Sequence, residues 1–293
     1  MPSVAETVGN ELETLSPLVP RVQRRGGAGP LRIGARADPA LPYRATMLAH
    51  VQYRRGLPVT EGCYQAWRAL EERGWDVRPF GRVEDLDPRP EVPVIGGVPQ
   101  VVAALGALGI HPGEVDYPDG LRPFLLDPEL ERTTLGAVRR TPERWPLFVK
   151  PTTGWKEFTG RVIHRTSDLL ELVHVDDEAS VFASRAVDVR AGVEWRCFVI
   201  DGELRDVRPY TRITDAPPPP RSFLAEVVEA WAERPAGCCI DVIDLGAGQG
   251  DWRVIECNDG FALGTYGLRR EVYAELLVKR WGELTGASDL WTP

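Results

Sequence analysis

The sequence predicts a mixed α/β (α+β) protein, in which a small domain of alternating helices and strands precedes a larger domain dominated by strands. Three observations support this prediction. Apolar runs with strand and helix periods alternate between residues 60 and 109, as in domains with a largely parallel sheet. From residue 147 onward, short apolar runs follow one another before a final helical pattern. A length of 293 residues is sufficient for two such domains.

The first domain is expected over residues 41–128. Residues 1–40 mix proline, glycine and arginine without a sustained period and therefore predict a loose lead-in. Thr60 is a suitable N-cap for the first helix, and Gly74 is a suitable end for it. The elements predicted in order are a helix from Thr60 to Gly74, a strand at 75–80, a strand at 92–95 and a helix that ends at Gly109.

The second domain is expected over residues 129–293, after a link at 117–124 that is rich in proline and charge. The Asp201-Gly202 dipeptide between two apolar runs is a strong hairpin signal. The predicted strands lie at 147–150, 161–164, 181–184, 195–200 and 204–208, and the predicted helices at 222–234 and 271–284.

Composition excludes several broad classes of function. The formal charge of -8 argues against a general binder of nucleic acid or membrane surfaces, although it leaves room for a local basic pocket. The five cysteines include no C-x-x-C pair, so neither a disulfide framework nor a zinc site is indicated. The N-terminus has no signal-peptide pattern, and no apolar run reaches membrane-spanning length. We therefore expect a cytoplasmic location.

The stretch from Val254 to Gly260 places a carboxylate and an amide two residues apart on a predicted strand. Because strand side chains alternate between faces, Glu256 and Asn258 point the same way. A symmetric hairpin that pairs Leu245 with Trp252 sets Asp241 opposite Glu256. Opposed carboxylates repel each other, so this arrangement favours a cation between them. Oxygen ligands alone indicate Mg²⁺ or Mn²⁺.

Two further stretches carry charges of interest. Between Val149 and Arg161, an apolar strand ends in Lys150 and is followed by a loop with two glycines, which is suited to phosphate binding. The Walker spacing is absent, and an ordinary hairpin loop explains this segment equally well. Glu194 and Arg196 share one face of a later strand, for which a surface ion pair is the alternative interpretation.

In this order, these stretches resemble the ATP-grasp fold. In that family a strand lysine with a glycine-containing lid binds nucleotide phosphates, a G-x-E strand contacts the ribose, and an Asp strand with an E-x-N strand holds magnesium. Within the family, the resemblance is to a clade with one arginine and two lysines in the nucleotide site. Its motifs are similar to Val149-Lys150-Pro151, Lys156 with Phe158-Thr159-Gly160, Glu194-Trp195-Arg196 and Glu256 through Leu268.

The resemblance implies an ATP-grasp fold with an N-terminal α/β pre-ATP-grasp domain, and it assigns roles to individual residues. Lys150 and Lys156 are the two lysines, with Lys156 also catalytic, and Arg132 is the candidate arginine, with a helix-surface residue as the alternative. The backbone of Ser184, Arg185, Ala186 and Val187 contacts adenine, and Glu194 contacts ribose. Asp241, Glu256 and Asn258 are the metal ligands. Cys239 stands where many ligases of the family have an arginine that holds the acyl substrate, so Arg196 or Arg208 would take that role.

The same resemblance implies an ATP-dependent carboxylate-amine ligase that forms an amide or peptide bond through an acyl phosphate. ATP and Mg²⁺ or Mn²⁺ are the expected cofactors, with a small carboxylate and an amine, such as an amino acid or peptide, as partners. No nucleic acid or membrane partner is expected. Two alternatives remain: a kinase of the same fold that phosphorylates a hydroxyl, and a nucleotide-binding interaction module without turnover.

Overall fold

The computed structural model describes residues 46–152, 158–190, 192–210, 215–246, 250–287 and 290–291. The predicted lead-in at 1–40 and the predicted catalytic Lys156 lie outside these residues. Helices and strands follow one another in a mixed order that ends with a long helix. The described strands form three four-stranded sheets.

The first sheet is built around a central strand whose neighbours are mainly parallel to it. Its elements are β1 (Leu48–Arg54), β2 (Leu57–Pro58), α1 (Glu61–Glu72), β3 (Asp76–Phe80), β4 (Val94–Ile95) and α2 (Val98–Ala107). Strands β3 and β4 pair with β1 in parallel, and the short β2 pairs with it in antiparallel orientation. The side chain of Thr60 accepts a hydrogen bond from the Cys63 N–H and caps α1 as predicted. The sequence prediction missed β1.

The second sheet is entirely antiparallel and carries Lys150. Its elements are β5 (Glu131–Thr134), α3 (Leu135–Arg140), β6 (Leu147–Pro151), β7 (Arg161–Ile163) and β8 (Ser180–Arg185). The strand order is β5-β8-β6-β7, so β6 lies between β8 and β7. Strands β6, β7 and β8 are those predicted, whereas β5 and α3 are too short to show a period in the sequence.

The third sheet carries the predicted metal ligands. Its elements are β9 (Glu194–Ile200), β10 (Glu203–Pro209), α4 (Arg221–Ala230), β11 (Gly237–Asp244), β12 (Trp252–Asp259) and α5 (Arg270–Thr285). The strand order is β10-β9-β11-β12, with antiparallel neighbours throughout. Asp201 and Gly202 have φ angles of 50° and 78°, which is the left-handed backbone that a tight hairpin turn requires.

The hairpin of β11 and β12 differs from the prediction near its turn. The structure pairs Asp244, not Leu245, with Trp252. The register then shifts by one residue, so that Ile255 is the extra residue of a β-bulge and Asp241 pairs with Glu256 as predicted. Without the bulge, side chains two residues apart would share a face, and Glu256 would point into the apolar core beside Val254. The bulge turns it to the opposite face.

Apolar packing covers the two faces of the third sheet differently. On one face, a cluster that includes Val254 and Cys257 packs against α4. On the other face, Phe198 and Cys239 pack against α5 and the first sheet. The cluster on the side of α5 contains residues from both predicted domains. The domain boundary near residue 128 stays a prediction. No helix within the described ranges is long and apolar enough to cross a membrane.

Candidate functional site

A row of charged side chains crosses the third sheet beyond the apolar cover of α5. The strand register sets Asp241 of β11 beside Arg196 of β9 on one side and beside Glu256 of β12 on the other. Because direct neighbours in a sheet share a face, the three side chains meet on the same surface. The row therefore runs from one positive side chain, Arg196, to two adjacent carboxylates, Asp241 and Glu256.

Asp241 and Arg196 form a buried ion pair. The guanidinium donates from Nε and Nη2 to the two carboxylate oxygens at 2.8 and 2.6 Å. Asp241 has no exposed surface and the Arg196 side chain is 6% exposed. The Tyr210 hydroxyl donates to Asp241 at 2.9 Å, and the rings of Tyr210 and Tyr266 lie 4.9 and 4.7 Å from the guanidinium carbon. Hydrogen bonds and cation–π contacts thus compensate for removing both charges from water.

Lys150 reaches Glu256 from the second sheet. Its Nζ lies 2.6 Å from Oε2 of Glu256 and 2.5 Å from Oδ2 of Asp116, a residue in the segment before β5. Burial disfavours the charged ammonium, but Glu256, Tyr117 and Asp116 outweigh burial and raise the pKa of Lys150 above its usual range. Burial likewise opposes ionisation of Glu256, yet Lys150 keeps the pKa of this carboxyl below its usual value.

Asn258 lies between the two carboxylates of the hairpin. Its amide nitrogen donates to Asp241 at 3.0 Å and to Glu256 at 3.2 Å. Rotation of the amide by half a turn would present its oxygen instead, because the two ends of the group have nearly the same size and shape. In that orientation the amide oxygen would join the two carboxylates, and such a set would match the preference of Mg²⁺ for oxygen ligands.

The cations present only partly neutralise this site. Within the described ranges, no group of three or more Asp, Glu, His or Cys side chains forms a metal site by itself. Asp241 has both oxygens bonded to Arg196, so Glu256 and Asn258 are the donors more readily available to an ion. Three carboxylates, those of Asp116, Asp241 and Glu256, pair with the two cations Lys150 and Arg196. This excess of negative charge fits a divalent cation.

The pKa of Glu194 responds to the negative charge of the neighbouring carboxylates. Burial, followed by the charges of Asp241 and Glu256, raises the pKa of Glu194 to about 8, against the opposing effects of Arg196 and of a hydrogen bond with Tyr210. The carboxyl is therefore largely protonated at neutral pH and can donate as well as accept a hydrogen bond. Its predicted role, contact with a ribose hydroxyl, is compatible with either form.

Replacing Glu194 by glutamine should change how stability depends on pH. The pKa of Glu194 is about 8 in the folded protein, compared with an ordinary value of 4.5. The folded state therefore keeps this proton at pH values at which the unfolded chain has lost it. The free energy of unfolding of the wild type should therefore fall as pH rises through this interval. Glutamine does not titrate, so the Glu194→Gln variant does not lose this stability. The difference in free energy of unfolding, variant minus wild type, should therefore rise by about 1–3 kcal/mol from pH 5 to pH 8.5. Urea unfolding at both pH values tests this, and an equal difference at both would contradict it.

Arg132 lies on β5, next to β8, and the predicted adenine-contacting residues 184–187, which we call the hinge, begin on β8. Arg132 pairs with Glu114 at 2.5 Å and lies 5.1 Å from the ring centroid of Phe182. It also lines a cavity of about 290 Å³ bounded by Tyr117, Pro118, Asp119, Arg122, Leu125, Leu130, Arg132 and Phe182. This environment differs from the helix surface that the sequence offered as the alternative.

The hinge covers the end of β8 and the residues that follow it. The backbone N–H of Arg185 donates to Asp127 at 2.7 Å, and that of Ala186 donates to the Pro146 carbonyl at 3.4 Å. Any adenine contact would therefore use other backbone groups of Ser184, Arg185, Ala186 and Val187, such as their carbonyls. The adenine role of this segment stays a prediction.

The predicted residues differ in how close they come to the centre of the site. Lys150, Arg196, Asp241, Glu256 and Asn258 form one continuous network of contacts. Arg208 lies beside Arg196 in the strand register, but its guanidinium bonds Asp206 at 2.6 Å. Arg196 pairs with Asp241 rather than with its strand neighbour Glu194, and its burial leaves little room for a substrate.

The sequence prediction missed four side chains of the site. Asp116 and Tyr117 lie at and just before the segment predicted as a link, where no period marks them. Tyr210 follows Arg208-Pro209 directly, and Tyr266 belongs to the motif that ends at Leu268. Of these four, Tyr210 had a signal, since it closely follows the candidate Arg208 and arginine is a frequent cation–π partner of aromatic rings.

Comparisons with known proteins agree with this architecture. A family model for the ATP-grasp domain, family 2 of the clade with one arginine and two lysines, matches residues 126–276. The solved RimK domain protein ATP-grasp from Sphaerobacter thermophilus DSM 20745 is similar at 15% identity and a TM-score of 0.55, over 80% of this chain and 98% of that chain. D-alanine–D-alanine ligase from Bacillus anthracis complexed with ATP is similar at 13% identity and a TM-score of 0.48, over 83% and 99%. A search of curated proteins finds no match. The predicted fold is confirmed.

Proposed function

Since the chain belongs to the ATP-grasp superfamily, in family 2 of the arginine-and-two-lysine clade, we propose that it is an ADP-forming ligase that joins a carboxylate to an amine. The observation that carries this proposal is the contact between Lys150 of β6 and Glu256 of β12. It brings a predicted phosphate-binding cation next to a predicted metal ligand, although the two residues are 106 positions apart. The nucleotide would lie between the second and third sheets.

Each residue of the network has a proposed part in binding. Lys150 and Lys156 contact the phosphates, and Arg132 is the third cation. Glu256 and Asn258 would hold Mg²⁺, with Asp241 joining them if it gives up its bond to Asn258. The ion, when bound, offsets charge on the phosphate oxygens. Arg196 holds Asp241 in place.

The proposed chemistry depends on positioning and on charge. The substrate carboxylate attacks the γ-phosphorus of ATP, ADP departs, and an acyl phosphate forms. The amine then attacks the acyl carbon, phosphate departs, and an amide bond results. Positive side chains stabilise the charge on the transferred phosphoryl group. Arg208, which is partly exposed and bonded to Asp206, is the candidate for orienting the acyl substrate.

A screen of amino acids and short peptides with Mg-ATP tests the proposal. A ligase releases ADP and phosphate only when carboxylate and amine are both present, and the product mass equals the two substrates less one water. With hydroxylamine as the amine, an acyl phosphate is trapped as a hydroxamate. A stable phosphorylated product without released phosphate would instead indicate the kinase. Nucleotide binding without turnover on any substrate would indicate the interaction module.

A further inference from the structure

One acidic segment contacts two of the cations proposed to bind phosphate. We call residues 114–117 (Glu114-Val115-Asp116-Tyr117) the acidic segment. Glu114 pairs with Arg132 at 2.5 Å, and Asp116 pairs with Lys150 at 2.5 Å. The two carboxylates are separated by a single residue. Each therefore takes a different cation of the proposed nucleotide site.

Backbone and ring contacts fix the position of this segment. The Asp116 carbonyl accepts a hydrogen bond of 2.8 Å from the Cys257 N–H, at the outer edge of β12. The Tyr117 ring packs edge-on against Phe182 of β8, with 4.7 Å between ring centroids, and lies 5.4 Å from Nζ of Lys150. The acidic segment is thus held against both sheets between which the nucleotide is proposed to bind.

Carboxylates and phosphates are recognised by the same donors. Guanidinium and ammonium groups bind either anion through charge-assisted hydrogen bonds of similar length. Donors of Arg132 and Lys150 that are bonded to Glu114 and Asp116 cannot bond a phosphate oxygen at the same moment. We propose that Glu114 and Asp116 compete with the nucleotide phosphates for these cations and thereby set the affinity of the site. This inference rests on the proposed function.

The competition has a measurable consequence for binding. If the acidic segment occupies the cations in most molecules, the apparent dissociation constant of the nucleotide is raised by the inverse of the free fraction. Removing a carboxylate should therefore strengthen binding. The opposite role, in which Asp116 positions Lys150 for the phosphate, predicts weaker binding from the same change. The sign of the effect distinguishes the two.

The test is isothermal titration calorimetry of the full chain with ADP and Mg²⁺, which requires no turnover. We expect Asp116→Asn to bind ADP about tenfold more tightly than the wild type, because its ion pair is largely shielded from water. Glu114→Gln should gain about threefold, since Arg132 is more exposed. Inorganic tripolyphosphate should show the same order of affinities. Adenosine, which has no phosphate, should bind all variants equally.

Asp119→Asn is the matched control. Asp119 lies three residues beyond Asp116 and its side chain is 93% exposed, with Arg122 as its ion-pair partner. The substitution removes the same charge without touching Lys150 or Arg132, so ADP affinity should stay within about twofold of the wild type. Circular dichroism and thermal unfolding establish whether each variant is folded. If Asp116→Asn does not fold, Glu114→Gln provides an independent test.

Three results would overturn the inference. Unchanged or weaker ADP binding in both Asp116→Asn and Glu114→Gln would mean that the carboxylates do not compete with phosphate. An equal gain in Asp119→Asn would mean that net charge alone governs affinity. Absence of ADP binding in the wild type and in every variant would overturn the proposed function as well, whereas the first two results leave that function standing.

Discussion

Replacing Arg196 by alanine is expected to lower the free energy of unfolding by about 3–5 kcal/mol. The reason is the position of Asp241, which has no exposed surface and receives two hydrogen bonds from the guanidinium. Without Arg196, the folded state must either keep a buried carboxylate, with Tyr210, Asn258 and the weak thiol donor of Cys239 as its remaining partners, or protonate it. Both routes cost free energy relative to the unfolded chain. Urea unfolding near neutral pH measures the loss.

Arg205 offers a matched control on the same sheet. Its guanidinium also makes two hydrogen bonds to one carboxylate, that of Glu275, at 2.9 Å each. These side chains are 30% and 16% exposed, compared with 6% and 0% for Arg196 and Asp241. Water screens the pair, so Arg205→Ala should cost about 1 kcal/mol or less. Equal losses of unfolding free energy in the two variants would show that the buried Arg196 pair stabilises the fold no more than an exposed pair does.

A double replacement separates the ion pair from the space it fills. Arg196→Met with Asp241→Leu exchanges both charges for apolar side chains, and such exchanges of buried pairs are often neutral or stabilising. The double variant should therefore recover stability relative to Arg196→Ala. It should also lose magnesium-dependent activity, since Asp241 is a predicted metal ligand. Recovered stability with lost activity would indicate that the pair is kept for the function of the site.

The hairpin shows what strand periodicity predicts and what it cannot. The two-residue period of a strand is enough to place Glu256 and Asn258 on one face. The register with Asp241 is correct as well, but the symmetric turn that led to it is not, because the structure pairs Asp244 with Trp252 and inserts Ile255 as a bulge. A bulge within an apolar run leaves no mark on the pattern, since the extra residue is as hydrophobic as its neighbours.

Partners brought together by tertiary structure are harder to predict. Arg196 and Asp241 are 45 residues apart and meet because β9 and β11 are neighbours in the sheet. A sequence pattern gives each strand separately but not the pairing of distant strands. The sequence predicts a cation between the carboxylates of Asp241 and Glu256. It does not predict that Asp241 is already paired with Arg196. In the same way, nothing local marks Asp116 as a partner of Lys150.

The family resemblance supplied what the local patterns lacked. Lys150 and Glu256 lie on different sheets, and strand periodicity gives no reason for them to meet. The ordered motifs do give such a reason, because in an ATP-grasp fold these strands enclose the nucleotide. The observed 2.6 Å contact is consistent with that expectation. Their roles in catalysis stay predictions that require functional tests.

Replacing Lys150 by methionine is expected to reduce Mg-ATP turnover at least about 100-fold, the effect typical of losing one group that stabilises a transition-state charge. Methionine keeps much of the apolar length of the lysine side chain, so the fold should survive. Asp116 and Glu256, which share the Lys150 ammonium, would then repel each other, and one of them should take up a proton. Lost turnover with a cooperative unfolding transition is the expected result.

Lysine is rare in this chain, so few other ammonium groups can account for the effect of Lys150→Met. The sequence contains only Lys150, Lys156 and Lys279. Lys279 lies on α5 and pairs with Asp201, outside the contact network of the site. Lys279→Met removes the same charge from the surface and should retain turnover within about twofold. A comparable loss in both variants would mean that overall charge, rather than contact with the nucleotide, explains the effect of Lys150→Met.

Amine acylation read by mass spectrometry locates the nucleotide without depending on turnover. Bound ADP should slow the acylation of Lys150, because a phosphate would cover the ammonium and hold its proton more firmly. Lys279 should react at the same rate with and without ADP, since no anion binds there. If ADP protects Lys150 but Lys150→Met still turns over Mg-ATP normally, the lysine contacts the nucleotide without assisting the reaction. If ADP binds without protecting Lys150, the phosphates lie elsewhere and the proposed site is wrong.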